Sequence, residues 1–254
     1  MHKKRSSQQF SLRSVTQDIG WTTISTIFLT LAGFVLNVLL GNVFDEEGLG
    51  HYSMVMAIYL AMGTLISAGL PGAVIKYAAE YAEEPNTERE FYTATLLLVS
   101  VSGLVGSGIT LLLRGWAASF FNMPNLNESL FIAALGLPFF EINKVALARL
   151  RGLRQMRRFS IGESLRYLLL IVLTIGLSVW QRNISAAIWA IVTTEIMLFF
   201  ATWQLTNLPQ SLRLKNLCQR SCELGKFGAQ ILLSRVFIEL DARLDLLVAG
   251  YFLT

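Results

Sequence analysis

Three stretches of this chain, 19–41, 51–74 and 92–113, each run for more than 20 residues without a formal charge. A helix rises 1.5 Å per residue, so about 20 apolar residues cross a hydrocarbon core of roughly 30 Å. Backbone N–H and C=O groups inside lipid must pair within their own segment, and a helix does this for every interior residue. Several such runs in one chain therefore imply an all-α, polytopic membrane protein. Composition agrees: 54% of the residues are hydrophobic and 15% are charged, against about a quarter charged in a soluble domain. The net charge of +4 does not indicate a nucleic-acid partner, because the basic residues lie between the apolar runs, where topology accounts for them.

The apolar pattern predicts six spans at 19–41, 51–76, 92–113, 129–148, 164–180 and 184–206, and a seventh at 226–253. This divides the chain into a basic N-terminus (1–18), a six-helix transmembrane bundle (19–206), a loop (207–225) and a seventh, charged helix (226–254). With the N-terminus in the cytoplasm, sixteen Lys and Arg fall on inside segments, and only Arg114 and Arg182 fall outside. That is the bias expected of a multi-pass membrane protein. Lys3, Lys4, Arg5 and Arg13 precede the first span, which is too long for a signal-peptide core and lacks a small-residue cleavage site, so it reads as an uncleaved anchor. Residues 80–90 place five glutamates on the proposed inside, which barely affects orientation. Residues 42–50 form an acidic outside loop. The fifth span is short, and Arg166 is expected to reach toward the headgroups. Trp21, Trp116, Trp180 and Trp203 fall near proposed interfaces, where amphipathic rings settle.

No phosphate-binding glycine loop, zinc-binding histidine pair or nucleophile elbow is visible, so the sequence predicts no catalytic residue and no cofactor. Cys218 and Cys222 lack further ligands nearby, and His2 and His51 lie far away in sequence, so no metal site is expected. The informative residues are charges inside spans, at about 2.5–3.5 kcal/mol each near a helix centre. The seventh segment holds Arg235, Glu239, Asp241, Arg243 and Asp245, which if uncompensated would cost roughly 12–18 kcal/mol. Arg235, Glu239 and Arg243 form one stripe at i+4 steps; Asp241 and Asp245 form a second. They could wall a central cavity, with the arginines as anion contacts. They could equally neutralise one another along the helix, or lie in water on an interfacial helix. Glu195, near the middle of the sixth span, is a candidate proton or sodium site; its alternative is a carboxylate held by a neighbouring helix. In the fourth span Pro138 is expected to kink the helix. Glu141 and Lys144 are weaker pathway candidates, better read as an i,i+3 salt bridge. The arginine-rich stretch 149–158 marks the inside and can meet anionic headgroups.

Four segments carry a resemblance. Val38-Leu39-Leu40-Gly41-Asn42 through Glu47-Gly48-Leu49-Gly50-His51-Tyr52-Ser53 resembles the junction of the first two spans in bacterial polysaccharide flippases. Ala68-Gly69-Leu70-Pro71 followed by Lys76-Tyr77-Ala78-Ala79-Glu80-Tyr81 is similar to the end of their second span. Arg151-Gly152-Leu153-Arg154-Gln155 with Arg158-Phe159 resembles the basic loop after their fourth. Asp245-Leu246-Leu247-Val248-Ala249-Gly250-Tyr251-Phe252 resembles their seventh. The resemblance, from about residue 15 onward, is to the O-antigen and exopolysaccharide transporters of the multidrug/oligosaccharidyl-lipid/polysaccharide (MOP) superfamily. It implies two six-helix bundles around a V-shaped cavity. It also implies translocation of an undecaprenyl-diphosphate-linked oligosaccharide for lipopolysaccharide or other polysaccharide synthesis, coupled to an H+ or Na+ gradient. Only Asp245 maps onto a motif position. Such transporters have 12 to 14 spans, so this chain is expected to be an N-terminal half with the first helix of the second. Its missing C-terminal half, or a second copy, would complete the cavity. Two alternatives stand beside flipping: multidrug or cation efflux on the same fold, and a non-functional fragment.

Overall fold

The computed structural model describes residues 12–67, 69–181 and 183–206, with positions 221, 223–225, 228, 237 and 248 beyond them. The proposed seventh helix and Cys218 and Cys222 thus lie essentially outside the described residues. All the elements are helices: α1 (Leu12–Ser67), α2 (Leu70–Glu80), α3 (Pro85–Phe120), α4 (Leu126–Gly152), α5 (Met156–Gln181) and α6 (Ile184–Thr206). Five of them are long and apolar enough to cross a membrane, which makes this a multi-pass membrane protein.

The first helix is two arms joined at one residue. Asp45 departs from helical geometry at φ 62°, ψ −173°, and its Oδ1 accepts the Gly48 N–H at 3.1 Å. An aspartate that accepts a backbone N–H three residues on is an N-cap. Glu46 and Glu47 then occupy the first turn of the new arm, where negative charge suits the helix dipole. Gly33 and Thr64 line one hollow, although a straight helix would hold them about 46 Å apart. The chain therefore folds back at Asp45. The acidic loop expected at 42–50 is reduced to this single turning residue.

The second expected span, 51–76, is itself interrupted. Gly69 adopts φ 74°, a left-handed conformation that costs glycine little, and a Cβ there would run into the Gly228 carbonyl. Pro71 follows in the first turn of α2, where its missing N–H is harmless. The last turn of α1 receives a cation in exchange for its lost partners: Lys144 Nζ donates to the Gly63 carbonyl at 3.3 Å and to Ser67 Oγ at 3.2 Å. Positive charge at a helix C-terminus offsets its free carbonyls.

Helix α4 is the hub, packing on all five other helices, with 67% of its apolar window buried against 22% for α3 and α5. Pro138 stays inside α4. Having no N–H, it leaves the Ala134 carbonyl without its i+4 donor, and Ser107 Oγ of α3 donates to that carbonyl at 2.7 Å. Gly103 sits directly against Pro138, so α3 approaches closely enough for the bond, as small residues allow in membrane bundles. The opposite face of α3 exposes Val101, Val105 and Leu112, a surface suited to lipid.

One ion pair locks the end of the bundle where α4 finishes. Arg149 grips Glu88 in a fork, Nε to Oε1 at 2.6 Å and Nη2 to Oε2 at 2.8 Å. Its Nη1 reaches the Thr206 carbonyl at 2.7 Å, and its guanidinium stacks 4.3 Å from the Tyr92 ring centroid. The sequence reading counts Arg149 as a loop base and Glu88 as part of an acidic loop cluster. Both are buried on helices, at 8% and 6% side-chain exposure, and bind α3, α4 and α6 together. Arg149→Met or Glu88→Leu alone should lower unfolding stability by about 3–5 kcal/mol, because the remaining charge stays buried and unpaired. The double replacement should cost clearly less than the sum, as read by denaturant unfolding in detergent.

Candidate functional site

A hollow of about 590 Å³ opens between both arms of α1 and helices α4, α5 and α6. Its polar lining includes Asn37, Tyr52, Thr64, Lys144, Arg166 and Glu195. Each residue arrives there by helical spacing. Phe140 and Lys144 are one turn apart on α4, Arg166 and Leu170 one turn apart on α5, and Ile191 and Glu195 one turn apart on α6. A smaller hollow of about 260 Å³ shares Thr64 and Lys144 with it and continues toward Gly69, Arg151 and Glu163.

Glu195 is held from two sides. Arg166 Nε of α5 lies 3.1 Å from Oε1. Asn143 Nδ2 of α4 donates to Oε2 at 2.8 Å and to the Glu195 backbone carbonyl at 2.9 Å. Asn143 is in turn fixed by Thr202, whose hydroxyl donates to Oδ1 at 3.0 Å. Arg166 also faces Glu163 at 3.7 Å, one turn back on α5. Glu141 is fully buried beside Gly63, with Lys144 Nζ 3.5 Å away and no hydrogen bond to either oxygen. The Phe140 ring lies between the two cations, 5.1 Å from Lys144 Nζ and 5.5 Å from the Arg166 guanidinium carbon. The Tyr59 hydroxyl is buried near them without a hydrogen bond.

The cluster therefore combines three carboxylates (Glu141, Glu163 and Glu195) with two cations (Lys144 and Arg166). If all five are ionised it carries one negative charge in excess. Such a group can take up or release a single positive charge inside a largely apolar enclosure. Among the described residues no three His, Cys, Asp or Glu side chains gather as a metal ion would need.

Of the residues singled out from the sequence, the structure brings Glu195, Glu141 and Lys144 into one cluster. Arg235, Glu239, Asp241, Arg243 and Asp245 lie outside the described residues. Arg166 departs from expectation: it points into the hollow, at 14% side-chain exposure, because Glu195 and Glu163 offer it counter-charge that lipid does not. Sequence reasoning passed over Asn143, Tyr59 and Thr202. A spacing signal existed for Thr202, which lies seven residues after Glu195 and so two turns along the same helix face. His51 Nε2 hydrogen-bonds Ser129 Oγ at 2.7 Å.

The helical membrane bundle is similar in fold to solved MATE and MOP superfamily transporters. The structure of the MATE multidrug transporter DinF-BH matches 99% of this chain at TM-score 0.70 and 15% identity, over 61% of its own length. A MATE structure in complex with Br-NRF matches 87% at TM-score 0.67 and 16% identity, over 54% of its length. A MOP superfamily transporter from Pyrococcus furiosus, described as having a binding pocket of reversed polarity, matches 87% at TM-score 0.65 and 17% identity, over 52% of its length. The chain thus spans between about half and three-fifths of these proteins. A search of curated proteins finds no match. The family model for polysaccharide biosynthesis proteins matches residues 15–254, and the chain belongs to that family.

The Arg166–Glu195 contact is directly testable by a double-mutant cycle. Arg166→Leu and Glu195→Leu should each destabilise the bundle, and the pair should show a coupling energy of about 1 kcal/mol or more. Additive losses in denaturant titrations would mean that the two side chains do not interact.

Proposed function

We propose that this chain forms one half of a transporter that flips lipid-linked oligosaccharide across a bacterial inner membrane. It acts without catalysis and supplies the charge-exchanging part of the pathway. The observation that carries this reading is the enclosed cluster of Glu195, Arg166, Glu141 and Lys144. Ionisable residues held inside a membrane bundle mark ion and substrate pathways, because their cost in lipid is otherwise unrewarded. Membership in the polysaccharide biosynthesis family supports an undecaprenyl-diphosphate-linked oligosaccharide as cargo. The excess carboxylate supports coupling to H+ or Na+, with Glu195 and Glu141 as the groups that gain and lose the cation. A second bundle, as in the longer solved transporters, would complete the cavity. Arg235, Glu239, Asp241, Arg243 and Asp245 would face the cargo where the halves meet.

Arginine and lysine distribution supports a cytoplasmic N-terminus. Discounting the buried Arg149 and Arg166 leaves the bias strongly in place. A cysteine introduced at Glu46 should then react with a membrane-impermeant maleimide on intact spheroplasts, and one at Gln155 only after permeabilisation. The opposite pattern would invert the topology.

A second reading is cation efflux, favoured by the excess negative charge and by neighbours described as multidrug transporters. The two part in a cell that assembles surface polysaccharide with this chain and its complementing half. Glu195→Gln, Arg235→Ala or Arg243→Ala, expressed at wild-type levels, should each reduce polysaccharide display at least tenfold while leaving cationic dye retention unchanged. Full display in all three with accelerated dye loss in the parent would replace flipping by efflux.

A further inference from the structure

The outer seam between the first arm of α1 and α5 carries a second site, unrelated to the central hollow. At the end of the bundle where α4 turns into α5, a polar recess of about 630 Å³ is walled by Asp18 and Trp21 of α1 and by Arg154, Arg157 and Arg158. The three arginines are exposed, yet each is oriented by a neighbour. Arg154 Nη2 meets Asp18 Oδ2 at 2.9 Å, Arg157 stacks 5.6 Å from the Trp21 ring centroid, and Arg158 Nη1 donates to Gln155 Oε1 at 3.0 Å. With one aspartate against three arginines the recess keeps a surplus of two positive charges.

Directly beside it, sharing Trp21, runs an apolar groove of about 270 Å³ bordered by Ile24, Phe28, Ile161, Leu165 and Leu168. Ser160 Oγ donates to the Trp21 carbonyl at 3.1 Å, which pins α5 to α1 where recess and groove meet. Ile24, Phe28, Ile161 and Leu168 are between 37% and 64% exposed. The groove cannot be an arm of the transport hollow. It shares no lining residue with that hollow, and at about 100° per residue Ile161 and Leu168 lie about 140–180° around α5 from Arg166 and Leu170.

We infer that this seam is a binding site for an anionic membrane phospholipid, its phosphate held by Arg154, Arg157 and Arg158 and one acyl chain laid in the groove. Charge and shape both argue for that occupant. Exposed arginines at the membrane boundary attract anionic headgroups, and guanidinium forks match phosphate oxygens. A tryptophan at the junction is suited to the zone between headgroup and chain. The position on the outer flank, facing away from the hollow, selects a resident phospholipid over cargo. The inference does not rest on what the chain transports.

The full chain, purified in mild detergent, is incubated with equal phosphatidylglycerol and phosphatidylcholine of identical chains, and retained lipid is counted by native mass spectrometry. Two surplus charges should give phosphatidylglycerol a preference of roughly tenfold or more. Arg157→Gln with Arg158→Gln should bring the preference close to one. Ser164→Phe, which fills the groove, should reduce retention with the arginines intact. Arg114→Gln, at a basic residue remote from the seam, should change nothing. Equal retention of the two lipids by the parent, or loss of preference in Arg114→Gln as well, would overturn the site. Displacement of phosphatidylglycerol by a polyprenyl diphosphate would overturn it in favour of cargo. An independent readout covers variants that fail to fold. Phosphatidylglycerol brominated on its chains should quench the parent's fluorescence more than brominated phosphatidylcholine does, with the difference absent in Trp21→Phe; equal quenching by both lipids contradicts the proposal.

Discussion

Glu195 places a carboxylate on a membrane-spanning helix, and much of the architecture follows from how it is accommodated. Arg166 approaches it from α5 and Asn143 from α4, so the carboxylate fixes the mutual position of three helices. Thr202 completes the chain of contacts from α6 itself. A charge that must be neutralised in a medium of low dielectric acts as a register device, because sliding any one helix by a turn strands an ion. The Arg149–Glu88 fork plays the same part at the far end of α4. The two sets of contacts together explain why α4, the most enclosed helix, also carries a dense row of polar side chains.

Three interruptions of helical geometry are each compensated by a particular partner. At Asp45 the turning residue caps its own second arm. After Ser67 the freed end of α1 is met by Lys144. At Pro138 the abandoned carbonyl of Ala134 is taken by Ser107. Lipid offers no hydrogen bonds, so an interruption survives only where protein supplies the missing donor or charge. The compensating residue comes from another helix in the last two cases, and these breaks therefore bind the bundle together. Lys144 is of particular interest, since it serves a helix end, pairs with Glu141 and borders both hollows.

Membership in the polysaccharide biosynthesis family places the chain among membrane proteins, and it covers only 54% and 52% of two solved transporters that share its fold. The charge cluster lies within the described bundle, on α4, α5 and α6. Arg235, Glu239, Asp241, Arg243 and Asp245, proposed above as cargo contacts, lie outside the described residues. The phosphate-binding seam on the outer flank adds a third surface, one that faces the bilayer itself.

The sequence alone determined that the chain crosses a membrane as helices, because uninterrupted apolar runs of span length have no other stable home. It also marked Glu195, Glu141 and Lys144, since charge within such a run is conspicuous. It did not reveal where each charge would point. Arg166 near a span end looked fit to reach the headgroups, and Arg149 looked like a loop base, yet both turn inward to carboxylates on other helices. Periodicity along one helix reports which face a residue occupies but not what stands opposite it. The chain reversal was legible as the acidic gap 42–50 between two apolar runs, but not its narrowing to the single residue Asp45, because composition does not record so local a change. Tertiary structure decided these points because the energy of a buried charge is set by its counter-charge, and the counter-charges here lie 29 to 61 positions away in the chain.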